Sequence, residues 1–240
     1  MTDLVKGFFV CGFGDAAAAV GGLAWDFGEP GALLLSDGEA RPATFALEEG
    51  GDAATLVITA GDATLEATLS PRTAEIALDG DSPGPTALVC IADVLPKQGG
   101  PAMQCPGQIS SWGSDPVEGA GTFRHLAIDA GDESLLLAVS RGDPGAEHGD
   151  ERTGAWQIRG EDETRFEDAF ISTQYGGDGD PTRFGLELWP EEAERASRAS
   201  ATRVAASSIG GAKVGGASAA LFRCHTDGSE GLGSYLIWRA

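Results

Sequence analysis

The sequence has no run approaching the ~18 consecutive apolar residues of a membrane-spanning helix. It also has little that would draw it to a nucleic acid. Basic residues are few: 16 lysines and arginines stand against 37 aspartates and glutamates, a formal net charge of −21. A field of that sign repels phosphate backbones and anionic lipid surfaces, so neither nucleic-acid binding nor stable membrane insertion is expected. The opening residues Met1 to Lys6 lack the basic and long apolar regions of a secretory signal, which gives a cytoplasmic location as the expectation. Cysteine is sparse. Cys11, Cys90, Cys105 and Cys224 lie far apart, with no CxxC and no histidine at zinc-finger spacing. Buried thiols, with no disulfide and no metal site, are therefore expected. There is no GxSxG elbow, P-loop or HExxH, and no cofactor is expected. Helical periodicity is scarce too. Pro190 to Arg198 carries proline and acids where a helix would start, but its apolar face is only alanine, which suggests a surface turn of helix or a charged loop. Ala16 to Val20 is a second short helical stretch, weakened by flanking glycines.

What the sequence does have is a normal apolar fraction, 42%, cut into short pieces. Phe8-Phe9-Val10-Cys11, Leu33-Leu34-Leu35, Leu56-Val57-Ile58-Thr59, Leu88-Val89-Cys90-Ile91, Leu135 to Val139 and Tyr235 to Trp238 are examples. Glycine and aspartate turns separate them, as at Glu49-Gly50-Gly51-Asp52, Ala60-Gly61-Asp62-Ala63 and Asp129-Ala130-Gly131-Asp132. These residue types tolerate the positive φ of tight hairpins, and a spacing of about ten residues is that of a sandwich or barrel. Between turns, Ala63 to Ser70 alternates cleanly, with Leu65 and Leu69 on one face and Thr64, Glu66 and Thr68 on the other. The fold class is all-β. A proline- and glycine-rich stretch suggests two halves, 1–95 and 121–240, joined by a crossing connection over 96–120.

Five groups of residues could carry chemistry. Ser111-Trp112-Gly113 puts a large ring beside a residue that lets backbone approach closely, as a ligand wall or as a plug between β halves. In Phe123-Arg124-His125-Leu126-Ala127, alternation sets Phe123, His125 and Ala127 on one face and Arg124 on the other. His125 is either a general acid or base or a core histidine bonded to one carbonyl. Cys224-His225 has the residue types of a nucleophile and base, but adjacent strand residues face opposite ways. Tyr175-Gly176-Gly177-Asp178-Gly179-Asp180 offers oxygen ligands for calcium or is a plain acidic turn. Trp25-Asp26-Phe27 sets an acid between two rings in sequence, although alternation turns it away from both.

The Ser111-Trp112-Gly113 element after a strand-rich first half resembles the lipocalin-like group of carotenoid hydratases, tocopherol cyclases and AttH-type bacterial proteins. So does the closing pattern Gly231-x-Gly233-x-Tyr235-x-x-Trp238-Arg239. Ser110 stands where members of that group carry an acidic or basic residue. The resemblance implies two packed lipocalin-like β-barrels, the alternative being one large antiparallel β-sandwich. It implies an apolar ligand site in or between the barrels. The expected function is therefore binding of a hydrophobic small molecule such as an isoprenoid, polyketide or lipid, with cyclase, hydratase or isomerase chemistry. Trp112, Ser111, Tyr175, Trp25 and Trp238 would line the site. Trp112 would be a wall and cation-stabilising ring, Tyr175 an orienting hydroxyl, and His125 the proton donor or acceptor. The competing reading is a noncatalytic β-sandwich or carbohydrate-binding module, with Trp and Tyr as an exposed platform.

Overall fold

The computed structural model of the 240-residue chain describes residues 5–12, 20–26, 30–36, 38–73, 76–77, 86–96, 102–112, 120–131, 134–147, 149–191, 195–209, 216–226 and 228–239. Of residues 5–12, 20, 86–89, 91–92, 94–96, 103 and 111–112 it describes the backbone alone. Among the described residues every regular element is a strand, and no helix is long and apolar enough to cross a membrane.

The first sheet holds β1 (Val5–Gly12), β2 (Val20–Asp26), β3 (Pro30–Ser36), β4 (Glu39–Gly50), β5 (Ala53–Ala60), β6 (Ala63–Pro71), β7 (Ile76–Ala77), β8 (Thr86–Pro96) and β9 (Met103–Trp112). Its order is β6-β5-β4-β3-β2-β1-β9-β8-β7, and a further pairing of β6 with β8 closes it into a barrel. The second holds β10 (Thr122–Asp129), β11 (Ser134–Gly142), β12 (Arg152–Arg159), β13 (Asp162–Phe166), β14 (Asp168–Tyr175), β15 (Pro181–Trp189), β16 (Ser197–Ser208), β17 (Gly216–Thr226) and β18 (Ser229–Arg239). Its order is β13-β12-β11-β10-β18-β17-β16-β15-β14. No ladder joins its two ends, but β14 packs against β12, so the sheet curls into an incompletely closed barrel. Two nine-stranded antiparallel sheets, one of them closed on itself, replace the single sandwich that was the alternative.

Local sequence explains the hairpins. Ala54, Leu56, Ile58 and Ala60 of β5, and Ala63, Leu65, Ala67 and Leu69 of β6, are buried, while the residues between them are half-exposed. That is period-two patterning over one buried face. The Gly61-Asp62 turn joining them needs φ > 0 at its first residue, and Gly61 sits at 59°. Gly51 at 61° repeats the device between β4 and β5.

Alternation sorts the apolar residues into three cores. One fills the first barrel, with Leu34, Leu56, Ile58, Leu65, Leu69, Cys90 and Cys105. One fills the second, with Leu126, Ile128, Phe166, Ile171, Phe184, Phe222, Cys224 and Tyr235. The third lies between the sheets: Leu23, Trp25, Leu33 and Leu35 of the first meet Phe123, Leu137, Trp156, Leu236 and Trp238 of the second. Three of the four thiols thus behave as small core residues, whereas the Cys11 side chain lies outside what is described.

Two local expectations take a different form. Within 190–198, Ser197 and Arg198 open β16, where they pair with Leu188 and Glu187 of β15. Residues 192–194 lie outside the described residues, as do residues 16–19, and Val20 opens β2. Within 96–120, Met103–Trp112 form β9, the strand that pairs with both β1 and β8.

Candidate functional site at the seam of the two sheets

The third core is where the two sheets exchange polar contacts. β10 lies mid-sheet between β11 and β18. Its alternation sends Phe123, His125 and Ala127 to the seam and Leu126 and Ile128 into the second barrel. On the first sheet, Gln108 and Ser110 of β9 are buried on one face while Cys105 and Ile109 pack into the first barrel. The two polar residues therefore meet His125 across the seam. Ser110 Oγ lies 3.2 Å from His125 Nε2 and donates to Gln108 Oε1 at 3.1 Å. With that donor direction the hydroxyl oxygen accepts from the imidazole N–H.

All three side chains are buried, and His125 is 0% exposed. Taking an imidazolium out of water is unfavourable, so burial lowers the pKa of His125 from 6.5 to about 4. The ring is neutral near pH 7, hydrogen-bonded to a side chain rather than only to a backbone carbonyl. Ser234 of β18 adds a fourth buried polar group on the same face, beside Leu232, Leu236 and Trp238. Its hydroxyl has no hydrogen-bond partner among the described residues.

Aromatic rings surround this cluster. Trp238 packs on Phe123, its register partner, with centroids 5.5 Å apart. Trp25 lies over Gly31, the residue opposite it on β3, where a Cβ would sit 2.6 Å from the indole. Trp25, Trp156 and Trp238 are at most 3% exposed. These tryptophans cannot form the exposed flat platform of a carbohydrate-binding module.

The seam thus unites three of the residues singled out in the sequence, His125, Trp25 and Trp238. Ser111 and Trp112 end β9 next to Ser110, opposite Lys6 and Val5 of β1, but their side chains lie outside what is described. Tyr175 is elsewhere. It ends β14, is 39% exposed, and carries the Arg239 guanidinium 4.6 Å from its ring centroid. The neighbouring turn is held from within: Asp178 accepts from the Asp180 N–H and pairs with Arg203 at 3.0 Å, while Arg239 donates to the Gly179 carbonyl at 2.6 Å. The Asp180 N–H, with Arg203, holds the Asp178 carboxyl below its ordinary pKa. A cation there would have to displace a guanidinium. Among the described residues no cluster of three metal-ligating side chains occurs. Cys224 and His225 face opposite ways, the thiol buried in the second barrel and pushed well above its ordinary pKa by that burial. His225 faces out, 3.4 Å from Glu230.

Sequence reasoning missed Gln108 and Ser234. The signal for Gln108 was available, since it shares a strand face with Ser110. Ser234, among apolar neighbours on a closing strand, gave none.

No family model matches the chain, and no curated protein matches it in sequence. Solved structures do match its fold. An AttH-type protein of Nitrosomonas europaea superposes with a TM-score of 0.65 at 12% identity, covering 98% of this chain and 92% of that one. Kievitone hydratase of Nectria haematococca gives 0.62 at 9% identity, covering 99% and 88%. CghA, in crystals with Sch210972, gives 0.55 at 11% identity, covering 98% and 88%. The likeness carried by the Ser111-Trp112-Gly113 element and the closing strand therefore holds for the fold, which this chain shares with an AttH-type protein, kievitone hydratase and CghA.

Proposed function

We propose that this protein binds a hydrophobic small molecule at the seam between its two sheets and catalyses a proton-dependent rearrangement of it, a cyclisation, hydration or isomerisation. The observation that carries the reading is the Ser110–His125 contact at 3.2 Å, a fully buried polar link between sheets that, with Gln108 and Ser234, is set in a wall of Trp25, Phe123, Trp238 and aliphatic residues. Ligand sites are mostly apolar with a few polar groups that fix orientation and carry chemistry. A neutral imidazole beside a hydroxyl and an amide suits the transfer of a proton to or from an apolar substrate. Trp112 and Ser111, whose backbone continues β9 from Ser110, complete the proposed lining. Further support comes from the shared fold, since kievitone hydratase is by its name a hydratase and CghA was crystallised with a small molecule.

The test uses Nile red, a neutral apolar dye, and native mass spectrometry of protein purified from its own host. Saturable dye fluorescence and a copurifying apolar compound are expected. Trp112→Phe should weaken dye binding while leaving the fold intact. With the copurified compound or its precursor as substrate, His125→Gln should cost roughly a hundredfold in turnover while affinity is kept. Unchanged turnover with only a lower melting temperature would make His125 a structural residue. An unsaturable dye signal would remove the site itself.

A further inference from the structure

On the opposite face of β10, one residue from His125, the second barrel encloses an ion pair. Arg124 is 8% exposed, and its Nη1 lies 2.9 Å from Glu151 Oε1 and 3.5 Å from the carbonyl oxygen of Ile171. Both side chains of the pair are about nine-tenths buried. Such a pair stabilises little, because desolvation offsets much of the attraction, and here the guanidinium is not fully used. Its Nε has no hydrogen-bond partner among the described residues, nor does the hydroxyl of Ser140, the residue paired with Arg124 in register and 1% exposed. Buried donors left open beside a charged one are rare in a settled core.

A cleft lies beyond Glu151. The row Arg124–Ser140–Thr153 runs across β10, β11 and β12, and Thr153 and Glu151 line an open cleft of about 660 Å³ at the gap between β12 and β14. Half-exposed Phe170 with buried Ala169, Ile171, Leu186 and Ala199 is its apolar part, and Ser172, Arg198, Ser200 and outward-facing His225 are its polar part. Of its other carboxylates, Glu187 is paired with Arg198 at 3.1 Å and Asp168 is exposed on the edge strand. Glu151 stands between the cleft and Arg124. It immediately precedes β12 and follows the exposed residues 149 and 150, and its second oxygen accepts from the Gly149 N–H at 2.9 Å. Its backbone thus lies between a surface turn and β12.

We propose that Arg124 anchors a second ligand site, at this cleft of the C-terminal barrel, that takes an apolar carboxylic acid whose carboxylate replaces that of Glu151 on the guanidinium. The exchange leaves the buried charge unchanged: one carboxylate leaves toward solvent with its turn and another takes its place. The unused Nε, with Nη2 beside it, offers the incoming carboxylate a bidentate edge, the arrangement for which a guanidinium is built, and the Ser140 hydroxyl donates to the same carboxylate. The apolar tail lies along half-exposed Phe170. An amine fits less well, since the unsatisfied buried groups are donors.

Decanoate and decanol, equal in chain length, test this on the full chain by isothermal titration calorimetry. Decanoate is expected to bind at least tenfold more tightly than decanol. Glu151→Gln, which removes the internal competitor, should tighten decanoate a further tenfold or more, and Arg124→Gln should abolish the preference for the acid. Equal binding of acid and alcohol, or a Glu151→Gln protein that binds decanoate no better than the parent, would overturn the proposal. Should Arg124→Gln fail to fold, those two comparisons still decide it. Nile red binding at the seam should be unaffected by Glu151→Gln, so the two sites stand or fall separately.

Discussion

His125 carries the most information of any single residue. It is neutral in the folded protein down to about pH 4 but titrates near 6.5 when exposed. A depressed pKa means that the unfolded chain takes up a proton the folded chain refuses, so stability is full above about pH 6.5 and is lost as the pH falls toward 4. The gap corresponds to about 3 kcal/mol. Carboxylates titrate over part of this range too, so the measurement is a difference. Denaturant unfolding of the parent and of His125→Gln, followed from pH 7 to pH 4, should show the parent losing about 3 kcal/mol more than the variant. Parallel curves would mean that the imidazole is not buried as described. A second residue-scale test concerns Gly31, which leaves room for the Trp25 indole. Gly31→Ala should push that ring off the seam, costing about 1–3 kcal/mol, and should shift the tryptophan emission to the red. Unchanged emission would place Trp25 elsewhere.

At the scale of elements, the closing strand shows what was legible and what was not. Gly231-x-Gly233-x-Tyr235-x-x-Trp238-Arg239 was readable as a pattern, and β18 gives each position a physical cause. A Cβ on Gly231 would run into the Asp129 carbonyl, and one on Gly233 would lie 2.7 Å from Cys224 Sγ. Tyr235 fills the second barrel against Phe184 and Phe222. Trp238 fills the seam, and Arg239 reaches the 176–180 turn. Alternation likewise placed Phe123 and His125 together and Arg124 opposite, since a period of two is a local property. What crosses between sheets was not legible. Nothing in the spacing of Ser110 and His125 says that two different sheets bring them within 3.2 Å, or that Glu151 answers Arg124. Tyr175 was set in the site for its residue type, whereas its strand runs at the far edge of the second sheet. Its surroundings give a prediction. Arg239→Ala removes both the ring contact and the bond to Gly179. Amide hydrogen exchange should quicken far more over residues 176–180 than in β10 and β11, with global stability lower by about 1 kcal/mol. Protection kept throughout would mean that Asp178 and Arg203 hold the turn by themselves.

At the scale of the whole molecule, the two sheets share one core, and that sharing bears on how the chain unfolds. The seam buries Leu23, Trp25, Leu33 and Leu35 against Phe123, Leu137, Trp156, Leu236 and Trp238. Either sheet alone would turn that apolar wall to water, and burial of each such side chain stabilises by about 1.5–3 kcal/mol. We therefore infer that the halves before and after residue 120 unfold as one unit, although each has a core of its own. The overall charge of −21 opposes compaction in both halves alike. Raising the salt from 0.1 M to 1 M shortens the screening length from about 10 Å to about 3 Å. The melting temperature should rise by several degrees, at roughly 2–4 °C per kcal/mol for a chain of this size. Cooperativity can be tested in the same titration. Leu56→Ala empties part of the first barrel and Leu236→Ala part of the seam, each at a cost of about 2–5 kcal/mol. In both variants a single transition should move down, with tryptophan fluorescence and far-ultraviolet circular dichroism coinciding at every salt concentration. If Leu56→Ala instead splits the curve, so that one half melts while the other keeps its original midpoint, the seam does not couple the sheets. A ligand site built between them would then have to form on binding.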